Sequence, residues 1–160
     1  DELPDFHDYS MKGRTYRYLT AEPLYPFGYG LSYTSFAYSD LKLSADKIAN
    51  GDPVTVSVKV RNTGKMDGDE VVELYIKDNE ASVDVPHFSL CGFKRITLAA
   101  GEEKEVSLTI RPESMRIVDN DGKRYIEPGT FTVYAGGCAP DALSARLTGS
   151  APLSAVFTVL

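Results

Sequence analysis

The sequence predicts an all-β sandwich of about seven short strands, entered through an extended aromatic arm. Three observations carry this reading. Apolar residues recur at every second position from Phe36 onward, turn signals interrupt them at intervals of roughly ten residues, and no stretch sustains the 3.6-residue apolar repeat of a helix.

The arm comes first. Pro4, Pro23 and Pro26 each remove a backbone donor and fix φ, which discourages both a helix and a central strand, while Gly28 and Gly30 mark turns. Phe6, Tyr9, Tyr16, Tyr18, Tyr25, Phe27, Tyr29 and Tyr33 bring more aromatic area than a disordered tail carries. Such a segment has to lay its rings on something: partly on the sandwich that follows, partly on a surface outside this chain. The boundary therefore falls after Tyr33, with residues 1–33 as arm and 34–160 as sandwich.

Strands follow in order. In FAYSDLKLS, Phe36 and Tyr38 share one parity and Leu41 and Leu43 the other, which predicts a bulge or a strand changing sheets. PVTVSVKVRN places Val54, Val56, Val58 and Val60 on one face and Thr55, Ser57, Lys59 and Arg61 on the other, the alternation of a half-buried strand. EVVELYIKD repeats it with Val72, Leu74 and Ile76 inward, then GFKRITL, then EVSLTIRP with Val106, Leu108 and Ile110. Pro112–Arg116 has room for a single helical turn. SMRIVDNDGKRYIEPG reads as a hairpin with Asp121-Gly122 at its tip. GTFTVYAGG, with Phe131, Val133 and Ala135 in phase, and LSAVFTVL complete an immunoglobulin-like sandwich.

Charge and composition exclude several functions. A net charge of −6 lacks the basic footprint of a nucleic-acid binder and is not drawn to an anionic membrane surface. No apolar stretch approaches the ~20 residues that span a bilayer. No charged segment followed by an apolar run opens the sequence at Asp1, so no signal peptide is read; the chain is expected to be a piece of a longer protein or to have lost a leader. The compartment is left open. Cys91 and Cys138 are enough for one disulfide, which sequence alone does not establish; the plainer reading is two half-buried thiols acting as small hydrophobes.

Several segments together resemble the C-terminal fibronectin-type-III-like domain of glycoside hydrolase family 3. They are MKGRTYRY (Met11–Tyr18), EPLYPFGYGLSYTSF (Glu22–Phe36), VRNTGKMDGDEVVELYIKD (Val60–Asp78), GFKRITLAAGEEKEVSLTI (Gly92–Ile110) and DGKRYIEPGTFTVYAGG (Asp121–Gly137). The PFGYGLSYT run is the most specific, because generic sandwiches lack an aromatic-glycine lead-in. The opening segment leans toward the β-xylosidase side of the family over the β-glucosidase side. The resemblance implies a parent with a (β/α)₈ barrel, an α/β sandwich domain and then this module, acting on terminal β-glucosyl or β-xylosyl bonds with retention. It implies an arm running across those domains, with Arg14, Tyr16, Arg17, Tyr18, Tyr25, Phe27 and Tyr29 as interdomain docking residues. The competing reading wraps the arm wholly on its own sandwich.

Catalytic residues are not expected in this chain. A retaining glycosidase sets two carboxyl groups about 5–5.5 Å apart across the scissile bond. The family keeps its nucleophile in a Ser-Asp-aromatic motif of the barrel and its acid/base in the second domain. Ser39-Asp40 is followed by Leu41 and lies within a sandwich strand, so it reads as a solvent-side pair. Asp119-Asn120-Asp121-Gly122 starts like a calcium loop, but its sixth and twelfth positions hold Arg124 and Thr130 where Gly and Glu are required. His7 and His87 lack metal-ligand spacing, and Asp67, Asp69 and Glu70 read as a solvated turn. No metal and no cofactor is expected.

The leading reading is thus a non-catalytic accessory domain that docks on and stabilises catalytic domains, with a loop offered to the rim of their cleft. The second is an independent carbohydrate-binding module; the chain has no Trp, so Tyr75 and Tyr134, if exposed, are its candidate sugar platforms. The third, a generic interaction sandwich, leaves the PFGYGLSYT arm unexplained. An arm deprived of its partner is expected to expose an apolar patch and to self-associate through it.

Overall fold

The computed structural model describes residues 5–160, so Pro4 and the opening of the arm lie outside the described residues. The strands are β1 (Phe36–Leu43), β2 (Lys47–Ile48), β3 (Val54–Asn62), β4 (Gly68–Asp78), β5 (Ser89–Leu98), β6 (Glu103–Ile110), β7 (Ile117–Val118), β8 (Arg124–Tyr125), β9 (Gly129–Gly136) and β10 (Leu153–Val159). Seven are long; β2, β7 and β8 have two residues each. A three-stranded sheet in the order β1-β3-β6 faces a five-stranded sheet in the order β2-β10-β9-β4-β5, and a small β7-β8 pair stands apart. All pairings are antiparallel except β10 with β2.

The alternation read from the sequence fills the space between the sheets. Val54, Val56, Val58 and Val60 of β3 are buried opposite Ile110, Leu108, Val106 and Lys104 of β6. Val72, Leu74 and Ile76 meet them from β4, and Phe131, Val133 and Ala135 from β9. Phe131 and Phe157 are paired across β9 and β10, their rings stacked at 5.5 Å. Each fully buried side chain of this kind stabilises the fold by about 1.5–3 kcal/mol relative to exposure.

The parity change in β1 is a bulge. The register shifts between Ser39 and Lys42, and Asp40 takes φ 55°, which swings Leu41 and Leu43 back onto the core. The Asp40 carboxylate stays on the solvent side, 2.8 Å from Lys59 Nζ, and that bond holds it below the usual carboxylate range. β7 and β8 form the expected hairpin. Asp119 and Lys123 close a three-residue loop in which Gly122 adopts φ 79°, the left-handed position that ends such turns.

Two helices were not anticipated: α1 (Thr15–Tyr18) and α2 (Ala142–Thr148). The expected single turn at Pro112–Arg116 is a 3₁₀ turn over Pro112–Met115. α2 owes its bounds to its caps. The Asp141 carboxylate accepts from Ser144 N at 2.7 Å, Gly149 ends the helix at φ 73°, and Leu143 is buried beneath it. Seven residues are too few to display an apolar repeat.

Asn62, at the end of β3, is fully buried and polar. Its Nδ2 donates to Met66 O (2.8 Å) and Leu98 O (3.1 Å), and its Oδ1 accepts from Thr34 Oγ1 (2.6 Å) and Gly64 N (3.0 Å). Substitution Asn62→Ala leaves those four groups without this partner, so urea unfolding is expected to show a loss of about 2–4 kcal/mol. A loss within 0.5 kcal/mol, roughly that of an ordinary surface change, contradicts this role.

Candidate docking surface

The arm lies across the outer face of the five-stranded sheet. Tyr75 points to that face from β4, opposite in parity to Leu74 and Ile76, yet it is fully buried. Phe88 sets its ring edge-on to Tyr75 at 5.5 Å. A sugar-stacking role for an exposed Tyr75 is therefore corrected: its face is covered. Tyr134, its neighbour across the ladder, is half-buried.

Backbone and ionic contacts tie the arm down along its length. Arg17 O accepts from His87 N at 2.8 Å, and Arg17 Nη2 reaches Ser89 Oγ at 3.4 Å. Glu22 accepts from Arg146 of α2 at 2.7 Å, a bond that lowers the Glu22 carboxyl and raises the guanidinium. Further on, Thr34 joins Asn62. A cleft of about 290 Å³ remains between arm and sandwich, lined by Tyr16, Phe27, His87, Phe88 and Leu143 among others.

The seven docking candidates fall on both sides of this arm. Arg14 pairs with Asp8 at 3.0 Å. Tyr16 stacks on Phe27 with ring centroids 4.0 Å apart, and Tyr25 stacks on Tyr29 at 5.5 Å. Tyr16, Tyr18 and Tyr29 are half-buried, whereas Tyr25 and Phe27 keep exposed area. Leu24, Leu31 and Tyr33 are each at least 85% exposed, though none was singled out for docking from the sequence. Their signal was available: apolar side chains between turn residues, with no strand parity to turn them inward.

Glu73 is the contact that sequence reading missed. The PFGYG turn crosses β4 at this residue: a Cβ on Gly28 would stand 3.0 Å from Glu73 Oε2, and Gly28 itself has φ 78°. The left-handed backbone favours glycine at this position, and the missing Cβ leaves room for the Glu73 carboxylate. Tyr75 Oη donates to Glu73 Oε2 at 2.7 Å. Burial raises the Glu73 carboxyl above its ordinary range, with the tyrosine bond opposing that rise.

Glu70 does not belong to a solvated turn, as its sequence neighbours suggested. It faces inward, partly buried, and accepts from Tyr38 Oη at 2.6 Å; burial raises its carboxyl, the tyrosine bond opposes this, and the Glu73 charge adds to it. The burial of Tyr38 drives its phenol far upward. Asp69 does face solvent, where Thr97 and Arg95 hold it low. Glu70 and Glu73 thus occupy opposite faces of β4, which prevents them from flanking one glycosidic bond. Both cysteines are free; burial pushes the Cys91 thiol up to about 12 and raises Cys138 as well, which disfavours the nucleophilic thiolate. Among the described residues, no three His, Cys, Asp or Glu side chains gather in a group able to hold a metal.

Comparison with known proteins matches residues 70–139 to the fibronectin type III-like domain. The chain is 50% identical over 135 residues to a beta-xylosidase of Formosa agariphila, covering 84% of this chain and 18% of that protein. The beta-glucosidase of Listeria innocua in complex with gluconolactone superimposes on 93% of this chain and 20% of its own, with TM-score 0.76 and 30% identity. The Bifidobacterium adolescentis GH3 beta-glucosidase gives TM-score 0.71 at 29% identity, over 84% of this chain and 18% of its own. The chain thus spans about a fifth of the length of these relatives.

The buried carboxyl under the arm predicts a pH dependence. A raised folded-state pKa means that the penalty for a charged Glu73 is present above that pKa and gone below the ordinary 4.5. Glu73→Gln keeps the shape without the charge. Its melting temperature should exceed that of the unsubstituted chain at pH 7, and the gap should close as pH falls toward 4.5. A gap constant with pH would contradict the assignment.

Proposed function

We infer the role of this chain from one premise: it belongs to the fibronectin type III-like domains of glycoside hydrolase family 3. On that premise it is a non-catalytic accessory module whose arm docks on the catalytic domains of a larger enzyme and stabilises them. The parent hydrolyses terminal β-glucosyl or β-xylosyl bonds by a two-step retaining mechanism, with nucleophile and acid/base outside this chain. Residues 1–33 serve as the docking arm and 34–160 as the sandwich that carries it.

The observation that carries this reading is the two-sidedness of the arm. Tyr16, Tyr18, Pro26 and Tyr29 turn toward their own sandwich, while Leu24, Tyr25, Leu31 and Tyr33 hold apolar area outward. An arm that served only its own sandwich would gain nothing from four such side chains in a row of turns, since apolar surface is stabilising only when removed from water. The relatives supply room for a partner, being about five times as long as this chain. The cost of docking falls on preformed structure, which keeps the ordering entropy of association low.

Within this reading Arg14 and Arg17 position the arm, whereas Tyr25 and Phe27 meet the partner. In the isolated chain, Tyr25→Ser with Leu31→Ser should leave stability within about 1 kcal/mol, as exposed substitutions do. In the full parent enzyme the same pair should speed thermal inactivation severalfold. Equal behaviour in both settings contradicts docking. Titration of the isolated chain with xylan or cellulose oligomers should show no saturable binding, and an aryl glycoside should not be hydrolysed. A micromolar dissociation constant would favour the carbohydrate-binding reading.

A further inference from the structure

We propose that the docking surface continues from the arm onto the sandwich itself, at Phe93 of β5 with Val71 of β4, and that the remainder of the parent polypeptide covers it through an apolar face. This rests on the docking role argued above and extends it to a part of the surface that the arm does not supply.

Phe93 stands directly across the β4-β5 ladder from Glu73, so both side chains leave the outer face of the same sheet. Gly28 lies over the Glu73 carboxylate, and the Phe93 Cβ stands about 5 Å from that of Glu73 as its directly opposed cross-strand partner, so Phe93 borders the strand position that the PFGYG turn covers. Tyr75, two positions along β4, is fully covered with Phe88 against its ring, whereas Phe93 remains 67% exposed and Val71 40% exposed. A lone exposed apolar residue is ordinary on a protein surface. Here Phe93 and Val71 share the outer face of β4 and β5 with Glu73, over which the PFGYG turn passes at Gly28, so they extend the arm's exposed apolar area onto the sheet.

The occupant follows from size and position. β5 is the outer strand of its sheet, so the margin lies at an open edge accessible to a large partner. Relatives carry about four-fifths of their length outside the region matched here, enough to supply whole domains. Arg95, the cross-strand partner of Val71, rims the apolar spot on the same face, and it is held aside by Asp69 through Nε at 2.9 Å. An apolar centre with a charged rim is the layout of a protein interface.

Hydroxyl-radical footprinting tests this with the 160-residue chain and the full parent enzyme side by side. Phe93 should be oxidised readily in the chain and at least about fivefold more slowly in the parent, as expected of a ring desolvated at an interface. Equal oxidation of Phe93 in the two, with Tyr25 and Leu31 protected in the parent, would overturn this extension and leave the docking role standing. Equal oxidation of all three would overturn both. Protection of Phe93 in the isolated chain that grows with concentration, alongside dimer in sedimentation, would make a second copy the occupant and refute the proposal. As an independent measure, Phe93→Ser should leave the melting of the isolated chain unchanged while lowering that of the parent; an equal loss in both would make Phe93 a residue of the sandwich alone.

Discussion

The hydrogen bonds of Asn62 decide where everything else in this chain sits. One carboxamide at the end of β3 holds the carbonyls of Met66 and Leu98 and receives the hydroxyl of Thr34 and the amide of Gly64. Those partners come from the first residue after the arm, the β3-β4 loop and the end of β5. Because the residue is fully buried, each bond is made in a low-dielectric setting and each is costly to leave unmade. Thr34 fits there only because two glycines make way: a Cβ on Gly68 would stand 2.6 Å from Thr34 Cγ2, and Gly64 approaches the same side chain. The arm is thereby anchored at one point before it begins to cross the sheet.

From that anchor the arm passes over the outer face of β4 at Glu73 and on to His87, Ser89 and Arg146. This converts an ordinary sandwich strand into one buried on both sides, with Leu74 and Ile76 in the core and Tyr75 under the arm. It also traps Glu73, whose carboxyl gains a tyrosine hydroxyl in place of part of its hydration. A domain built to hydrolyse glycosides would bring two carboxyls together across a cleft. This one puts Glu70 and Glu73 on opposite faces of one strand and pairs each with a tyrosine.

Much of the sandwich was legible because alternation is a direct consequence of strand geometry. Val54 to Val60 and Phe131 to Ala135 state their inward face in their spacing, and the parity break in FAYSDLKL announced the bulge at Asp40. What alternation cannot convey is a second burial layer: Tyr75 reads as solvent-facing by parity and is covered because the β4-β5 loop folds Phe88 back over it. The passage of the arm at Gly28 hid Glu73, and Glu70 looked solvated because its acidic neighbours are. α2 was written in its ends, Asp141 and Gly149, more than in its interior, and a reading based on period passes over seven residues. The arm's rings were visible in composition, but which of them turn inward depends on Gly28 and Pro26, whose packing is tertiary.

A docking module has to transmit force from the surface it grips to the core that holds it rigid. β4 is placed to do so. Its inner side chains stand beside those of β9 in the same sheet and pack against β3 across the core, its outer ones bear the arm at Glu73, and close-packed interiors of this kind yield little to displacement. The PFGYG turn meets β4 where Gly28 passes over Glu73, whose carboxylate accepts from Tyr75 Oη, and the same stretch of strand turns Leu74 and Ile76 into the core. A flexible tether would need none of these contacts. The burial of one strand from both sides is therefore the physical reason to assign this chain a supporting role and to look for its activity at an interface.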